Sequence, residues 1–117
     1  EAAMHRCLAQ FPGRDRPTAV FAVSDEVAIG ALHAARMHGL RIPEDLSVVG
    51  VDGHDFAYLF DLTTISQPVR DQGRIAARLL LEQVSDPQHT PTGVTVGCEL
   101  IRRGSSGPLR RPERSAS

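Results

Sequence analysis

The sequence predicts an α/β fold in which helices flank a mostly parallel sheet. Three observations carry this prediction. Short apolar runs of strand length recur along the chain, and runs that are apolar on both faces are typical of buried parallel strands. Segments with apolar residues at helical spacing separate these runs. The resulting order α-β-α-β-α-β-α-β fits helices packed around a mostly parallel sheet, joined by right-handed crossovers.

The first part of the chain predicts two helices with a strand between them. Residues 1–10 have the apolar spacing of a short helix, which the following Phe-Pro-Gly sequence ends. Residues 18–23 form a continuous apolar run, which predicts a strand buried on both faces. Ser24 can cap the next helix with its hydroxyl, because a serine oxygen accepts from a backbone N–H of the first turn. Gly39 ends that helix.

The rest of the chain predicts three further strands and two further helices. Residues 46–51 and 63–66 have strand composition, and a short helical stretch covers residues 56–60. Pro68 is well placed to begin a long amphipathic helix over residues 68–84, because a proline at the first helical position loses no hydrogen bond. Residues 94–101 alternate in part and predict a fourth strand.

Composition limits the classes of protein to which the chain can belong. It has 117 residues and a net charge of −1, and all thirteen of its cations are arginines. Only two cysteines are present, which excludes a disulfide scaffold, and no apolar run approaches the roughly 20 residues of a membrane span. Residues 102–117 are basic, and residues 104–117 are predicted to be a disordered tail. Since Glu1 is not an initiator methionine, we expect a piece of a longer chain.

Polar side chains follow two of the predicted strands. Ser24 and Asp25 come after the first strand, and Asp52 follows the second. Ligands of open α/β sheets sit at the carboxyl ends of the strands, and an ionised carboxylate accepts several hydrogen bonds. We therefore predict Ser24, Asp25 and Asp52 as ligand-binding residues for a hydroxyl-rich or amine-bearing molecule. A helix-start acid at Asp25 and a turn former at Asp52 are the simpler alternatives.

Catalytic and metal-binding motifs are not found in the sequence. It has no nucleophile elbow, no glycine-rich dinucleotide fingerprint and no phosphate loop, which would need a lysine. His54 lies among acids, where a metal site is less common than a solvated turn. Cys7 and Cys98 lack metal-ligand spacing and fit buried free thiols in a reduced cytosol. We expect no enzyme activity, no metal and no cofactor.

The aromatic residues are concentrated in one place. Tyr58, Leu59 and Phe60 are consecutive in a chain that is 4% aromatic. They predict either a piece of core or a subunit interface, where aromatic residues are enriched. Ile29 lies on the helix face turned away from the apolar stripe. This face is either a solvated surface or a contact surface. The basic tail could contact phosphate, but a flexible end without a specific role is the commoner case.

Four segments in unbroken order resemble one family, the LacI/GalR family of bacterial transcriptional regulators, in its effector-binding region. The segments are residues 17–32 (PTAVFAVSDEVAIGAL), 39–52 (GLRIPEDLSVVGVD), 62–68 (LTTISQP) and 99–105 (ELIRRGS), with Gly73 and Ala76-Ala77 in the intervening helix. The resemblance implies a type I periplasmic-binding-protein-like fold of two α/β subdomains with an effector cleft between them. It also implies that residues 1–103 are the C-terminal part of an effector-binding and dimerisation domain.

The resemblance assigns expected roles to single residues. Asp52 matches the effector-contacting aspartate of the family, Ser24 stands where relatives usually carry asparagine, and Asp25 matches the aspartate beside it. Ile29 and residues 58–60 match positions of the dimer interface. The implied partners are a small-molecule effector, a second copy of the chain, and operator DNA through an N-terminal helix-turn-helix outside this chain. No membrane partner is implied, and the expected location is the cytoplasm.

Family topology also implies that the helix over residues 68–84 belongs to a first subdomain that is missing here. Its apolar stripe would then lack a partner sheet. We predict that the stripe packs on another copy, swaps between protomers or folds back. The stripe consists of Val69, Gly73, Ala76, Leu80 and Val84.

Two rival functions stay open at this point. A periplasmic sugar-binding protein of the same fold would carry a signal peptide and act as a monomer. An α/β enzyme would use Asp25 and Asp52 as an atypical acidic site, although no nucleophile or base is paired with them.

Overall fold

The computed structural model describes residues 1–88, 90 and 92–109. The chain divides into two units: residues 1–66 together with the segment that starts at Leu100, and residues 67–99. Across the described ranges, no helix has both the length and the apolar character that crossing a membrane requires.

Among the described residues, the sheet has four strands in the order β1-β2-β3-β4. They are β1 (Ala19–Phe21), β2 (Ser47–Asp52), β3 (Thr63–Ser66) and β4 (Glu99–Ile101). β1 pairs with β2 and β2 pairs with β3, both in parallel, which confirms the predicted parallel sheet. The carboxyl ends of β2 and β3 coincide, because Asp52 is in register with Ser66.

In the described part of the chain, four α-helices and one short 3-10 helix (Gly13–Asp15) accompany the strands. The α-helices are α1 (Ala2–Gln10), α2 (Asp25–Met37), α3 (Asp55–Leu59) and α4 (Val69–Ser85). α2 packs on β2, and α1 and α3 pack on α2. The predicted cap of α2 is confirmed, because the Ser24 hydroxyl accepts from the Val27 backbone N–H at 3.3 Å.

The core lies between α2 and one face of the sheet. Leu32, Leu46, Val48 and Leu62 are its largest fully buried apolar side chains, all at most 1% exposed. The alanines of α2 complete this core and let the helix approach the sheet closely, because their side chains are short. This arrangement fixes the start of α2 against the carboxyl end of β2.

β1 departs from the predicted double burial. Its side chains alternate between exposed and half-buried, and Phe21 is 64% exposed. Val23, just beyond the strand, is 79% exposed. The physical reason is that β1 is an edge strand, and Val20 is the one residue of β1 that packs against the core. The apolar run of residues 18–23 therefore predicted a strand correctly. No described residue buries the second face of this strand.

The second unit contains α4 and the segment that follows it. Residues 94–98 are not in a strand, contrary to the prediction for residues 94–101, and the strand is confined to β4, Glu99–Ile101. Ile75 and Leu79 of α4 instead line a cavity of about 300 Å³ with Val94 and Val96.

The five residues of the predicted α4 stripe are all exposed. Leu80 is 64% exposed and Val84 is 69% exposed. The expected fold-back of the chain over this stripe is therefore not found among the described residues. Packing on another copy stays a prediction.

The segment after β4 departs from the predicted disorder over its described part, residues 104–109. Ser105 is 2% exposed and lies between β2 and β3. Its hydroxyl donates to the Val48 carbonyl at 2.6 Å and accepts from the Thr63 backbone N–H at 2.8 Å. These hydrogen bonds fasten residues 104–107 to the start of the sheet. The rest of the predicted tail, residues 110–117, lies outside the described residues.

Candidate functional site

A buried carboxylate organises the carboxyl edge of the sheet. Asp25, the first residue of α2, is fully buried, although aspartate is rarely buried without partners. The Thr64 hydroxyl donates to its Oδ1 at 2.6 Å, and the His54 backbone N–H donates to its Oδ2 at 2.7 Å. Both carboxylate oxygens are therefore engaged by protein donors, which offsets the cost of burying the charge.

The same hydroxyl connects the network to the turn after β2. Thr64 Oγ1 accepts from the Gly53 backbone N–H at 3.2 Å while donating to Asp25. Thr64 and Asp25 thus accept hydrogen bonds from two successive backbone N–H groups, those of Gly53 and His54. We call this arrangement the Asp25–Thr64 clamp. It fixes the course of the chain directly after Asp52.

A glycine inside β2 makes room for the clamp. Gly50 is buried, and a β-carbon built on it would overlap Asp25 Oδ1 and lie 3.2 Å from the Ala28 β-carbon. No larger residue fits without displacing the carboxylate. Glycine in a strand interior often marks such a close approach. This signal was present in the Val-Val-Gly-Val sequence, but sequence reasoning did not connect it to Asp25.

Asp52 ends β2 in an uncommon backbone conformation. Its φ is +115°, a region that residues with side chains rarely adopt and that tends to occur at functional sites. Gly53 continues with φ +69°, and its added β-carbon would lie 2.7 Å from the Ser66 β-carbon. The chain therefore turns closely over the end of β3. This turn carries the half-buried Asp52 to the strand-end edge.

Ser24 lies at the same edge as the cap of α2. Its hydroxyl is engaged with the first turn of the helix, where it also contacts the carboxylate of Glu26. Hydrogen bonds from its own backbone and from Ser24 hold the pKa of the exposed Glu26 below its usual value. The edge thus joins Ser24, Asp25 and Asp52, the three residues that the sequence predicted for ligand binding. Only Asp25 among them is fully buried.

The predicted interface residues differ in exposure. Tyr58 is 74% exposed and Leu59 is 69% exposed, so both project from α3. Phe60 is 37% exposed. Ile29 is half-buried and packs against the core, so the prediction that it lies on the helix face turned away from the apolar stripe is wrong. Large exposed apolar side chains that lie together mark interaction surfaces.

Within residues 1–88, 90 and 92–109, no three histidine, cysteine, aspartate or glutamate side chains are grouped closely enough to hold a metal ion. His54 instead accepts from the Phe56 backbone N–H through Nδ1 at 3.1 Å and caps α3. The geometry of the edge is that of a hydrogen-bonding surface. Asp52 lies directly before the turn that the Asp25–Thr64 clamp holds in place.

Comparison with known proteins gives the family. The model of the periplasmic-binding-protein-like domain matches residues 1–106. This chain therefore belongs to the periplasmic-binding-protein-like domain family, as a part of the effector-binding domain of LacI-family regulators. The match agrees with the resemblance drawn from the four sequence segments.

Three individual proteins illustrate the similarity. The chain is 49% identical over 96 residues to the HTH-type transcriptional repressor CytR of Escherichia coli K12, covering 80% of this chain. A ribose-bound LacI family transcriptional regulator from Enterococcus faecium superimposes with a TM-score of 0.79 at 31% identity, covering 92% of this chain and 40% of its own. A dimeric Lac repressor with an 11-residue C-terminal deletion gives 0.80 at 30% identity, covering 93% of this chain and 39% of its own. This chain spans 28% of the length of CytR.

Proposed function

We propose that these residues are the ligand-sensing and dimerisation portion of a cytoplasmic LacI-type transcriptional regulator. The ligand is a small metabolite of the sugar or nucleoside/purine class. Operator DNA is bound by an N-terminal helix-turn-helix outside this chain. The observation that carries the proposal is the turn after β2, where the Asp25–Thr64 clamp holds Asp52 at the carboxyl edge of a parallel sheet. The ribose-bound relative supports the sugar class.

Each edge residue has a distinct role in this proposal. Asp52 accepts hydrogen bonds from ligand hydroxyl or amine groups, because an ionised carboxylate can accept several. Ser24 offers its hydroxyl from the start of α2 as a weaker second contact. Asp25 acts indirectly: it is fully buried, so it serves binding by fixing the backbone N–H groups of the turn. A preorganised turn reduces the ordering cost that a ligand would otherwise bear.

Ligand binding controls DNA affinity only if the ligand prefers one arrangement of the complete protein. The shift is limited by the difference between its affinities for the two arrangements. In this proposal Asp52 forms one wall of the effector site, and the second wall comes from residues outside this chain. The dimer carries the change to the DNA-binding segments.

Calorimetric titration of the complete protein with sugars, nucleosides and purines tests the site. We expect Asp52→Ala to weaken the tightest ligand by about tenfold or more, because a charge-assisted hydrogen bond contributes roughly 1.5–3 kcal/mol. Asp55→Ala is the matched control, since Asp55 is an exposed aspartate at the start of α3. It should leave the affinity within about a factor of two, as expected of a surface change.

Two results would contradict the assignment. Equal loss of affinity in the Asp52 and Asp55 variants would mean that the net charge of the protein governs binding, and not the position of Asp52 at the turn after β2. Unchanged affinity in Asp52→Ala would remove Asp52 from the site.

The proposed dimer uses the α3 surface, with Tyr58 and Leu59 as main contacts, and also includes Phe60 and Ile29. The exposed area of Tyr58 and Leu59 supports this assignment, since aromatic and apolar residues concentrate at interface cores. The dimeric state of the similar Lac repressor supports it further. The alternative, a periplasmic sugar-binding protein, predicts a monomer.

Sedimentation of the complete protein separates these alternatives. Leu59→Arg should weaken dimerisation by about a hundredfold or more, because a charge in an interface core has no partner. Met37→Arg is the control: Met37 is 66% exposed at the end of α2 and lies outside the proposed surface. A wild-type monomer, or an unaffected dimer in Leu59→Arg, would overturn the interface.

A further inference from the structure

A pair of histidines joins helices α1 and α2 far from the carboxyl edge of the sheet. His5 lies in α1, and His38 is the C-terminal cap of α2. Nδ1 of His5 and Nε2 of His38 are 3.0 Å apart, although the two residues are 33 positions apart in the sequence. α2 spans 13 residues from Asp25, so about 20 Å of helix separates His38 from that carboxylate. The proposed effector site does not use this pair.

The separation of the two ring nitrogens is close to that of two ligands on one metal ion. A zinc–imidazole bond is roughly 2.0–2.1 Å long, so two such ligands at a tetrahedral angle place their nitrogens about 3.3 Å apart. Small rotations of the His5 and His38 side chains supply the remaining difference. The ring planes are inclined by 45° with centroids 5.2 Å apart, so the rings meet at these nitrogens and are not stacked face to face.

Both rings are accessible to an ion from solvent, and a carboxylate supports one of them. The His5 side chain is 34% exposed, and His38 is exposed. Glu1 Oε1 lies 3.7 Å from His5 Nε2, the ring nitrogen that does not face His38. A negative charge there favours the tautomer with its proton on Nε2, which leaves the lone pair of Nδ1 for a metal. Histidines that bind metals commonly have a carboxylate beside the second nitrogen.

We propose that His5 and His38 together bind one divalent transition-metal ion, of the class that imidazole prefers and that zinc represents. His5 Nδ1 and His38 Nε2 are the protein ligands. Each ring binds in its neutral form, with its proton on the nitrogen that faces away from the ion. No third histidine, cysteine, aspartate or glutamate among the described residues completes the group, so water occupies the remaining positions of an open site. The ion ties α1 to the end of α2.

Calorimetric titration of the complete protein with zinc chloride tests the site. The wild type should bind one zinc ion per protomer that both His5→Gln and His38→Gln bind at least about tenfold more weakly, because each removes one of the two ligands. His33→Gln is the matched control, since His33 is an exposed histidine of α2 outside the pair, and it should retain the ion. Magnesium chloride should not bind at the pair, because Mg²⁺ prefers oxygen ligands.

Glu1→Gln tests the supporting carboxylate. It should weaken zinc binding by about tenfold, as expected when the partner of a metal-binding histidine is removed. The thermal midpoint measured without zinc should stay unchanged, because Glu1 is exposed. Unchanged zinc affinity in this variant would contradict the role given to Glu1.

Three outcomes would overturn the site: no zinc ion that depends on His5, retention of that ion in His38→Gln, or its loss in His33→Gln. If one variant of the pair fails to fold, the other decides, because the two histidines lie on different elements. Asp52→Ala should leave zinc binding unchanged. Loss of the ion in that variant would place it at the carboxyl edge of the sheet and contradict the proposal.

Discussion

Helices α2 and α4 have similar amphipathic sequences and different surroundings. α2 buries six residues, which include the charged Asp25, whereas α4 has no buried residue over its 17 positions. Leu32 of α2 is 1% exposed and Leu80 of α4 is 64% exposed. The comparison shows that a helical stripe predicts a helix but not the surface that covers it. α2 packs on β2, whereas no residue of α4 is buried, and the packing of its stripe on another copy stays a prediction.

The largest expected difference between the two helices lies in the cost of shortening a leucine. In the 117-residue chain, Leu32→Ala should reduce the free energy of unfolding by about 2–5 kcal/mol, because it leaves a cavity in the core. Leu80→Ala should change it by less than about 0.5 kcal/mol, as expected of an exposed side chain. Urea denaturation measures both values. Similar losses in the two variants would mean that α4 is covered within the single chain.

A smaller contrast lies within the first turn of α2, where a buried acid and an exposed acid are neighbours. Asp25→Asn should destabilise the chain by about 1–3 kcal/mol, because one of the two donors from Thr64 and His54 would face an amide N–H instead of an acceptor. Glu26→Gln should have little effect, since Glu26 is exposed. Denaturation midpoints compare the two directly. Equal values would contradict a structural role for the clamp.

The smallest expected effect concerns pH and the Arg41–Asp45 pair. Side-chain and backbone hydrogen bonds from Arg41 lower the pKa of Asp45 from its usual 3.8. A lowered folded-state pKa means that the unfolded state binds the proton more tightly. The stabilisation is therefore present above about pH 4 and is lost as the pH falls through the folded-state pKa. Asp45→Asn should flatten the pH dependence of stability in acid.

Glu44→Gln is the control for this pH effect. Glu44 forms none of the three hydrogen bonds that join Arg41 to Asp45. Thermal unfolding between about pH 2 and 6 covers the window set by the ordinary aspartate pKa. A slope in Asp45→Asn that equals the wild-type slope would assign the acid dependence to other carboxylates.

Local features of the fold could be predicted from the sequence, because they depend on neighbours along the chain. The bounds of β3 (Thr63–Ser66) agree with the prediction, and Ser24 caps α2 as expected. Contacts between distant segments could not be predicted in the same way. The exposure of Phe21 depends on which strand lies at the edge, and the burial of Ser105 depends on a return of the chain between β2 and β3.

The same distinction between local features and contacts of distant segments applies to the candidate site. The strand-end positions of Ser24, Asp25 and Asp52 followed from the parallel order of the strands. The joint role of Asp25 and Thr64 did not, because those two residues are 39 positions apart and meet only through the packing of α2 on the sheet. Gly50 was the sequence signal that pointed to the close approach of Asp25 to the sheet.

The most direct test of the central claim is a crystal structure of the complete protein with its tightest calorimetric ligand. The account predicts an Asp52 carboxylate oxygen within hydrogen-bond distance of a ligand hydroxyl or amine. It also predicts that Asp25 still accepts from His54 and Thr64. A ligand bound away from the carboxyl edge, or one that Asp52 does not touch, would contradict it.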